Sequence, residues 1–180
     1  MSMTINAAAG DLRKTEDPNL GQAAKVAASA MLRGARGNSG VILSLLFRGI
    51  SRRLKGVVEA DAKTFAAALH DGVDAAYKAV MKPAEGTILT VARLAAAKAA
   101  DAARENNFIE FVQEAALSEA KVALAGTTDM NPVLKKAGVV DAGGKGYLVI
   151  LEGMLRALRG EEIPEVVDTE ESKEKADFAM

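Results

Sequence analysis

The segment GARGNSGVILS, residues 34–44, lies between two stretches of sequence with helical periodicity. Residues 20–33 repeat small apolar side chains every three or four positions, and residues 38–53 are apolar around most of a helical circumference. Three glycines are more than a helix–helix turn requires, because one is normally enough to end a helix. The segment therefore predicts two packed helices joined by an unusual loop, with the second helix at the centre of the domain.

Outward from this segment the periodicity stays helical, and no run alternates apolar and polar residues as a strand does. The fold class is therefore predicted to be all-α. Helix boundaries are expected at residues that cap or break helices, which are Asp61, Pro83, Gly86, Gly126, Asn131, Pro132 and Gly160.

The composition favours one globular domain. The chain has 180 residues, of which 49% are apolar and 26% charged, and we place the domain at residues 1–160. Only 4% of the residues are aromatic, so small side chains are expected between closely packed helices. In residues 161–180 acidic residues outnumber two lysines with little apolar material between them, which predicts a solvated acidic tail or linker.

Charge and cysteine content argue against several functions. A formal net charge of -1 argues against nucleic-acid binding, which requires clustered lysine and arginine. The absence of cysteine excludes disulfides, thiolate metal sites and cysteine nucleophiles. No stretch is long and apolar enough for a membrane span, and residues 1–10 lack the pattern of a signal peptide, so we expect a cytoplasmic protein.

The glycine loop at residues 34–40 has two interpretations. Glycines let a backbone approach a ligand closely, and the following helix presents its positive end, so the loop suits a phosphate group. Alternatively it is a tight turn between helices in which Asn38 or Ser39 caps the second helix. The loop is neither a Walker A motif, since no Gly-Lys-Ser/Thr follows, nor a Rossmann fingerprint, since no strand precedes it.

Two further loops precede helices in a similar way. In residues 141–146 the glycines again suit an anion, or Asp141 simply caps the last helix. In residues 82–87 capping by Thr87 is the favoured interpretation. Arg36 and Lys145 are the cations best placed in the loops to assist a phosphate. His70, without a second histidine as partner, is interpreted as a surface residue or as a histidine whose hydrogen bonds are satisfied.

Three segments resemble motifs of the DhaL (DAK2) domain family and occur in the same order as in that family. They are residues 34–44, 78–90 and 138–144. This domain is the ATP-binding N-terminal part of the bacterial fatty acid kinase A subunit and a relative of the dihydroxyacetone kinase L-subunit. The resemblance covers about residues 1–160 and implies a barrel of about eight antiparallel amphipathic helices, with ATP or ADP bound at one end.

Site residues follow from the resemblance by matching motifs. Phosphates would be held by four residues, Gly37, Asn38, Ser39 and Gly40. Thr87 and Ile88 would line the nucleotide pocket. The last segment would close over adenine and ribose with Asp141, Ala142 and Gly143. No residue is assigned a catalytic role.

One departure from the family concerns magnesium. The complete family domain binds two Mg²⁺ ions through aspartates of an Asp-Gly-Asp-Thr-Gly-Thr-Asn-Met segment, which this sequence lacks. Met1 coincides with the last methionine of that segment, so we expect an N-terminally truncated domain without its first helix and magnesium ligands. Such a chain should be inactive or impaired, because phosphoryl transfer depends on neutralising phosphate oxygens. The missing helix also predicts an exposed apolar groove and a possible homodimer.

The resemblance implies a kinase that phosphorylates an acceptor presented by a partner protein. The expected acceptor is a fatty-acyl carboxylate on a DegV-like carrier protein, or a substrate on a K-type subunit. The alternative is a non-catalytic helical module that serves protein contacts or regulation, with ADP as a structural ligand.

Overall fold

The computed structural model describes residues 1–162, so residues 163–180 of the predicted acidic tail lie outside the described residues. The described part contains eight α-helices and no strand, which confirms the all-α prediction. The helices are α1 (Ser2–Lys14), α2 (Leu20–Gly34), α3 (Gly37–Arg53), α4 (Ala62–Ala79), α5 (Ile88–Glu105), α6 (Ile109–Met130), α7 (Pro132–Ala137) and α8 (Ala142–Leu158). None of them is both long and apolar enough to cross a membrane.

Consecutive helices from α1 to α6 pack side by side, and α8 closes against α5 and α6. The short connections make neighbouring helices antiparallel. Helix α3 packs against α1, α2, α4, α5 and α8, as its broad apolar surface predicts. The core is rich in alanine, and the side chains of Ala92, Ala95 and Ala99 on α5 are completely buried.

The predicted boundaries are mostly confirmed. Asp61 caps α4 by accepting a hydrogen bond from the Thr64 N–H at 2.8 Å, and Asn131 caps the short helix that starts at Pro132. Two predictions are wrong. Helix α4 ends at Ala79, ahead of Pro83, because Val80 is already extended. Gly126 does not end a helix, because α6 continues past it to Met130.

The end of the bundle where α8 finishes contains an apolar cavity of about 240 Å³. Its lining comes from α2, α3, α4, α6 and α8, and includes Leu20, Leu54, Tyr147 and Leu158. Tyr147 is 2% exposed, and this burial raises the pKa of its phenol above the ordinary value. The exposed apolar groove and the homodimer expected from the sequence stay predictions.

Helices α3 and α4 approach closely because glycines face each other. A Cβ atom added to Gly49 would lie 2.5 Å from the carbonyl oxygen of Asp71, and one added to Gly72 would lie 2.5 Å from that of Leu46. The Arg53 guanidinium also donates two hydrogen bonds to Asp71, at 2.7 and 3.2 Å. The two helix backbones are therefore in direct contact and leave no space for a methyl group.

We expect Gly49→Ala to lower the free energy of unfolding by about 1–3 kcal/mol, because the new methyl group meets backbone that moves only if the helices separate. The matched control is Gly126→Ala in α6, where an added Cβ has no atom within 4 Å. That substitution should raise stability by about 0.5–1 kcal/mol through helix propensity. Urea unfolding followed by circular dichroism measures both changes. Equal effects of the two substitutions would contradict the close α3–α4 contact.

Candidate functional site

A cleft of about 450 Å³ lies at the end of the bundle where α3, α5 and α8 begin. Its volume falls in the usual range of small-molecule sites. One part of its lining is polar and the other apolar. The lining residues are Asn38, Ser39, Val41, Ile42, Val80, Lys82, Ala84, Thr87, Ile88, Leu89 and Asp141.

The start of α3 has no side-chain cap. Arg36 occupies the N-cap position with extended backbone and makes no capping hydrogen bond. Its guanidinium instead donates to the Ala35 carbonyl oxygen at 2.9 Å. Gly37 has a φ of 70°, a left-handed value that glycine adopts without strain. Neither Asn38 nor Ser39 caps the helix, so the capping interpretation of this loop is wrong. Within the described residues, the first-turn N–H groups of α3 have no side-chain acceptor.

The start of α8, by contrast, is capped. The Asp141 carboxylate accepts a hydrogen bond from the Gly144 N–H at 2.8 Å, which confirms the capping interpretation for this residue. The Asp141 N–H donates to the Thr127 hydroxyl at 3.2 Å, which ties the loop to α6. A Cβ atom on Gly143 would lie 2.6 Å from the Ser39 hydroxyl oxygen. The two glycine loops are therefore in contact, and Gly143 leaves space for Ser39.

The loop before α5 is held by a network around Glu85. The Glu85 carboxylate accepts hydrogen bonds from Thr90 at 2.6 Å, from Tyr77 at 3.0 Å and from Arg93 at 3.0 Å. The Thr90 hydroxyl in turn accepts from the Gly86 N–H at 2.8 Å. These contacts join α4, α5 and the loop between them. They fix the wall of the cleft that contains Val80, Lys82 and Ala84.

Thr87 has a local structural role at the same wall. Its hydroxyl accepts from the Leu89 N–H at 3.2 Å and donates to the Ala84 carbonyl oxygen at 2.7 Å. It therefore caps α5, as the sequence predicts. Ile88 lines the cleft while its side chain is only 1% exposed, so it forms part of the floor.

The comparison with known proteins identifies the family. The DAK2 domain matches residues 1–156. The chain belongs to the DAK2 domain family. This DAK2 domain is 47% identical to Protein YloV of Bacillus subtilis over 92% of the chain. It is 46% identical to protein SSP1546 of Staphylococcus saprophyticus over 91%, and 44% identical to protein SH1689 of Staphylococcus haemolyticus over 95%.

The DAK2 domain spans less than a third of the length of these relatives, because the matched region covers 30–32% of each of them. The family membership makes the chain a DhaL-like domain of a kinase family whose members generally bind nucleotide. The fold and the order of the three segments 34–44, 78–90 and 138–144 agree with that membership.

The cleft of this DAK2 domain brings together residues that are distant in sequence. Of the residues implied by the resemblance, Asn38, Ser39, Thr87, Ile88 and Asp141 line it. Gly37 and Gly40 shape the start of α3, while Ala142 and Gly143 follow Asp141 in the first turn of α8.

Other parts of the cleft were not found from the sequence. Its cation is Lys82, whereas Arg36 and Lys145 do not line it. The apolar wall of Val41, Ile42, Val80 and Leu89 was also missed as a site. The sequence shows only that α3 is apolar around most of its circumference, whereas the structure shows that Val41 is 47% exposed.

The residues described here do not fit the two magnesium ions that the resemblance implies for a complete family domain. Within residues 1–162 no group of three or more His, Asp or Glu side chains is arranged to hold a metal ion. Asp141, the one carboxylate in the cleft lining, already accepts the Gly144 N–H. His70, 72% exposed in its side chain and 3.6 Å from Asp71, lies on the surface away from the cleft.

Two buried threonines near the cleft differ in their hydrogen bonds. Thr4 on α1 is fully buried, and its hydroxyl, which lies against Gly40, has no hydrogen-bond partner within residues 1–162. Thr127 is equally buried, but its hydroxyl donates to the Leu124 carbonyl oxygen at 2.6 Å and accepts from Asp141. An unpaired buried hydroxyl costs stability, whereas a paired one contributes to it.

We expect Thr4→Val to raise the free energy of unfolding by about 1 kcal/mol, because it removes an unsatisfied polar group. The matched substitution Thr127→Val should lower it by about 1–3 kcal/mol, because the Asp141 N–H loses its acceptor. Urea denaturation of the two variants provides the comparison. Destabilisation of similar size in both would show that the Thr4 hydroxyl has a partner.

The Glu85 network also predicts a pH dependence. The hydrogen bond from Thr90, and with smaller effects those from Arg93 and Tyr77, hold the pKa of the Glu85 carboxyl below its ordinary value of 4.5, against opposing desolvation. Because the pKa of Glu85 is lower in the folded than in the unfolded state, its ionised carboxylate contributes to the free energy of unfolding. This contribution is complete above about pH 4.5 and is lost as the pH falls through the folded-state pKa.

Glu85→Gln should therefore lower stability near neutral pH, and the difference from the wild type should shrink as the pH falls below about 4.5. Denaturant titrations across that range measure the difference. The control is Glu105→Gln, since Glu105 makes no ion pair or side-chain hydrogen bond within the described part of the chain. A difference between Glu85→Gln and wild type that stays constant down to about pH 3 would contradict the linkage.

Proposed function

We propose that this domain binds ATP or ADP in the cleft and is the nucleotide-binding part of a phosphotransferase. The observation that carries the proposal is the uncapped start of α3, whose polar residues Asn38 and Ser39 line the same cleft as Lys82. The starts of α5 and α8 at this cleft are capped by Thr87 and Asp141. The start of α3 is therefore the place where an anion can be bound.

The phosphates fit at this helix start for three reasons. The free N–H groups of the first turn and the helix dipole both favour an anion. Asn38 and Ser39 add side-chain donors, and Lys82, which lines the same cleft, adds a positive charge. The left-handed Gly37 lets the loop enter the helix without a side chain in the path of the ligand.

The nucleoside fits the remaining part of the cleft. Val41, Ile42, Val80 and Leu89 form an apolar surface for the flat face of a base. The Asp141 Oδ2 atom accepts from Gly144, which leaves Oδ1 as an acceptor for ribose hydroxyl groups. Ala142 and Gly143, next along the chain, would close over adenine and ribose as the resemblance implies.

The acceptor we propose is a fatty-acyl carboxylate presented by a partner, either a DegV-like carrier protein or a K-type substrate-binding subunit. A carboxylate oxygen would form a bond to the γ-phosphorus while the bond from that phosphorus to the bridging oxygen breaks, which yields an acyl phosphate and ADP. The attacking oxygen is already anionic, so no general base is required. This agrees with a cleft whose one carboxylate is engaged as a helix cap.

Residues 1–162 supply positioning rather than the complete charge neutralisation that phosphoryl transfer requires. We therefore expect the 180-residue chain to bind nucleotide and to transfer phosphate slowly or not at all. The same observation supports a second candidate function, a non-catalytic helical module that binds ADP as a structural or regulatory ligand.

The test of nucleotide binding is a calorimetric titration with ADP in a magnesium-containing buffer. The double substitution Asn38→Ala/Ser39→Ala should weaken binding about tenfold or more, since a hydrogen bond to a charged group contributes about 1.5–3 kcal/mol. Its stability should stay close to that of the wild type, because both side chains lie outside the core. Unchanged affinity would rule out the start of α3 as the phosphate site.

The control for that experiment is Asn6→Ala/Ser118→Ala, which removes the same two residue types from exposed positions on α1 and α6. It should leave ADP binding unchanged. Phosphorus NMR of ATP with a partner protein and its acceptor then separates the two functions. An acyl-phosphate signal supports the phosphotransferase. The non-catalytic module is supported if nucleotide binds but no phosphate is transferred, even by a longer chain that contains the family's aspartate segment.

A further inference from the structure

The charges of this chain are strongly segregated. Between Pro18 and Val58 the sequence contains seven lysine and arginine residues and no aspartate or glutamate. The chain as a whole has a formal net charge of -1, so other segments hold the compensating acidic residues. Helices α2 and α3 lie within this basic segment and pack against each other. They therefore present a positively charged outer face.

A groove of about 300 Å³ runs between α2 and α3 on this face, and we call it the basic groove. Its apolar lining residues include Leu32, which is 63% exposed. Its walls carry cations and serine hydroxyl groups. The lining residues are Lys25, Ala28, Ser29, Leu32, Ser44, Leu45, Arg48, Ser51 and Arg52.

The three cations of the basic groove have no acidic partner among residues 1–162, because Lys25, Arg48 and Arg52 form no salt bridge there. Two nearby arginines do form salt bridges. Arg33 pairs with Asp11 at 2.7 Å, and Arg53 pairs with Asp71 at 2.7 Å. The positive charge of the groove is therefore not compensated within the described part of the bundle.

The segment after α8 has the complementary composition. Residues 161–180 contain eight aspartate and glutamate residues and two lysines. Apolar residues Ile163, Val166 and Val167 are interspersed with acidic residues Glu165 and Asp168. Such a pattern matches a groove lined by apolar and cationic side chains, since apolar contacts and opposite charges are both available along one short segment.

The acidic segment also begins at the end of the bundle where α2 starts and α3 ends, which is close to the basic groove. Leu158, the last residue of α8, lines the same cavity as Leu20 at the start of α2 and Leu54 just after α3. Lys25 lies about 7.5 Å along α2 from Leu20, and Arg52 directly precedes the end of α3. Residues 163–180 span up to roughly 60 Å when extended, so the groove lies within their reach.

We propose that the basic groove is a binding site for an acidic polypeptide segment, and that its occupant is the chain's own segment from Ile163 onward. Lys25, Arg48 and Arg52 bind the carboxylates, and Leu32 and its apolar neighbours in the groove contact the valines. This site is separate from the nucleotide cleft, and its existence does not depend on nucleotide binding. It lies on α3 about two turns from Asn38, so one helix serves both sites.

Disulfide trapping tests the proposal directly, because the 180-residue chain has no cysteine of its own. One variant carries Ser29→Cys in the groove and Thr169→Cys in the acidic segment, which leaves every acidic residue in place. The matched control carries Ser118→Cys and Thr169→Cys. Ser118 lies nine residues along α6, as Ser29 lies nine residues along α2, and both helices start at the end where α8 finishes.

The Ser29 pair should form an intramolecular disulfide about tenfold faster than the Ser118 pair, because docking raises the effective concentration of the segment at the groove. Adding Lys25→Glu and Arg48→Glu should remove this difference. About 1 M salt should reduce it, since charges are then screened within roughly 3 Å. Circular dichroism shows whether the charge-reversal variant remains folded.

Two results would overturn the proposal. Equal rates for the two cysteine pairs would show that the segment does not prefer the groove. Disulfide-linked dimers without the intramolecular product, detected on a non-reducing gel, would show that the groove binds the segment of a second copy. ADP titration of the same variants distinguishes failure of this proposal from failure of the nucleotide proposal. If a variant binds ADP normally but its Ser29 pair forms the disulfide no faster than the Ser118 pair, only the docking proposal is contradicted.

Discussion

Direct backbone contact between helices is the constraint on which the rest of this structure depends. Gly49 and Gly72 bring α3 and α4 together, and completely buried alanines such as Ala95 do the same along α5. Small residues allow close packing but bury little apolar surface each, so the core must be spread over many contacts. Close packing also brings the starts of α3, α5 and α8 to one end of the bundle, at the distance that forms the cleft.

The three helix starts at the cleft are stabilised in different ways. Asp141 and Thr87 cap α8 and α5, and the Glu85 network holds the loop between α4 and α5. The start of α3 has only the left-handed Gly37 and contact with Gly143. Rigid neighbours therefore surround one helix end whose N–H groups still require an acceptor, which is the arrangement expected of a preorganised anion site.

The sequence predicted the fold well because helical periodicity and capping residues are local signals, and Asp61, Asn131 and Pro132 act locally. Gly126 misled the prediction, since a glycine without a left-handed backbone can continue a helix. The nine site residues came from three motifs, and five of them line one cleft. Lys82 was missed because a lysine in a loop shows no periodic signal. Its position depends on the tertiary network around Glu85.

The charges near the cleft show what a nucleotide would still lack. Lys82 provides one positive charge and the start of α3 about half a charge through its dipole, while Asp141 adds a negative charge. A polyphosphate bound there would retain uncompensated negative charge, although seven cations lie between Pro18 and Val58. Most of those cations lie on the outer α2–α3 face or in ion pairs, so they do not reach the cleft. The fold thus places three cations along the groove between α2 and α3, whereas the cleft lining contains one, Lys82.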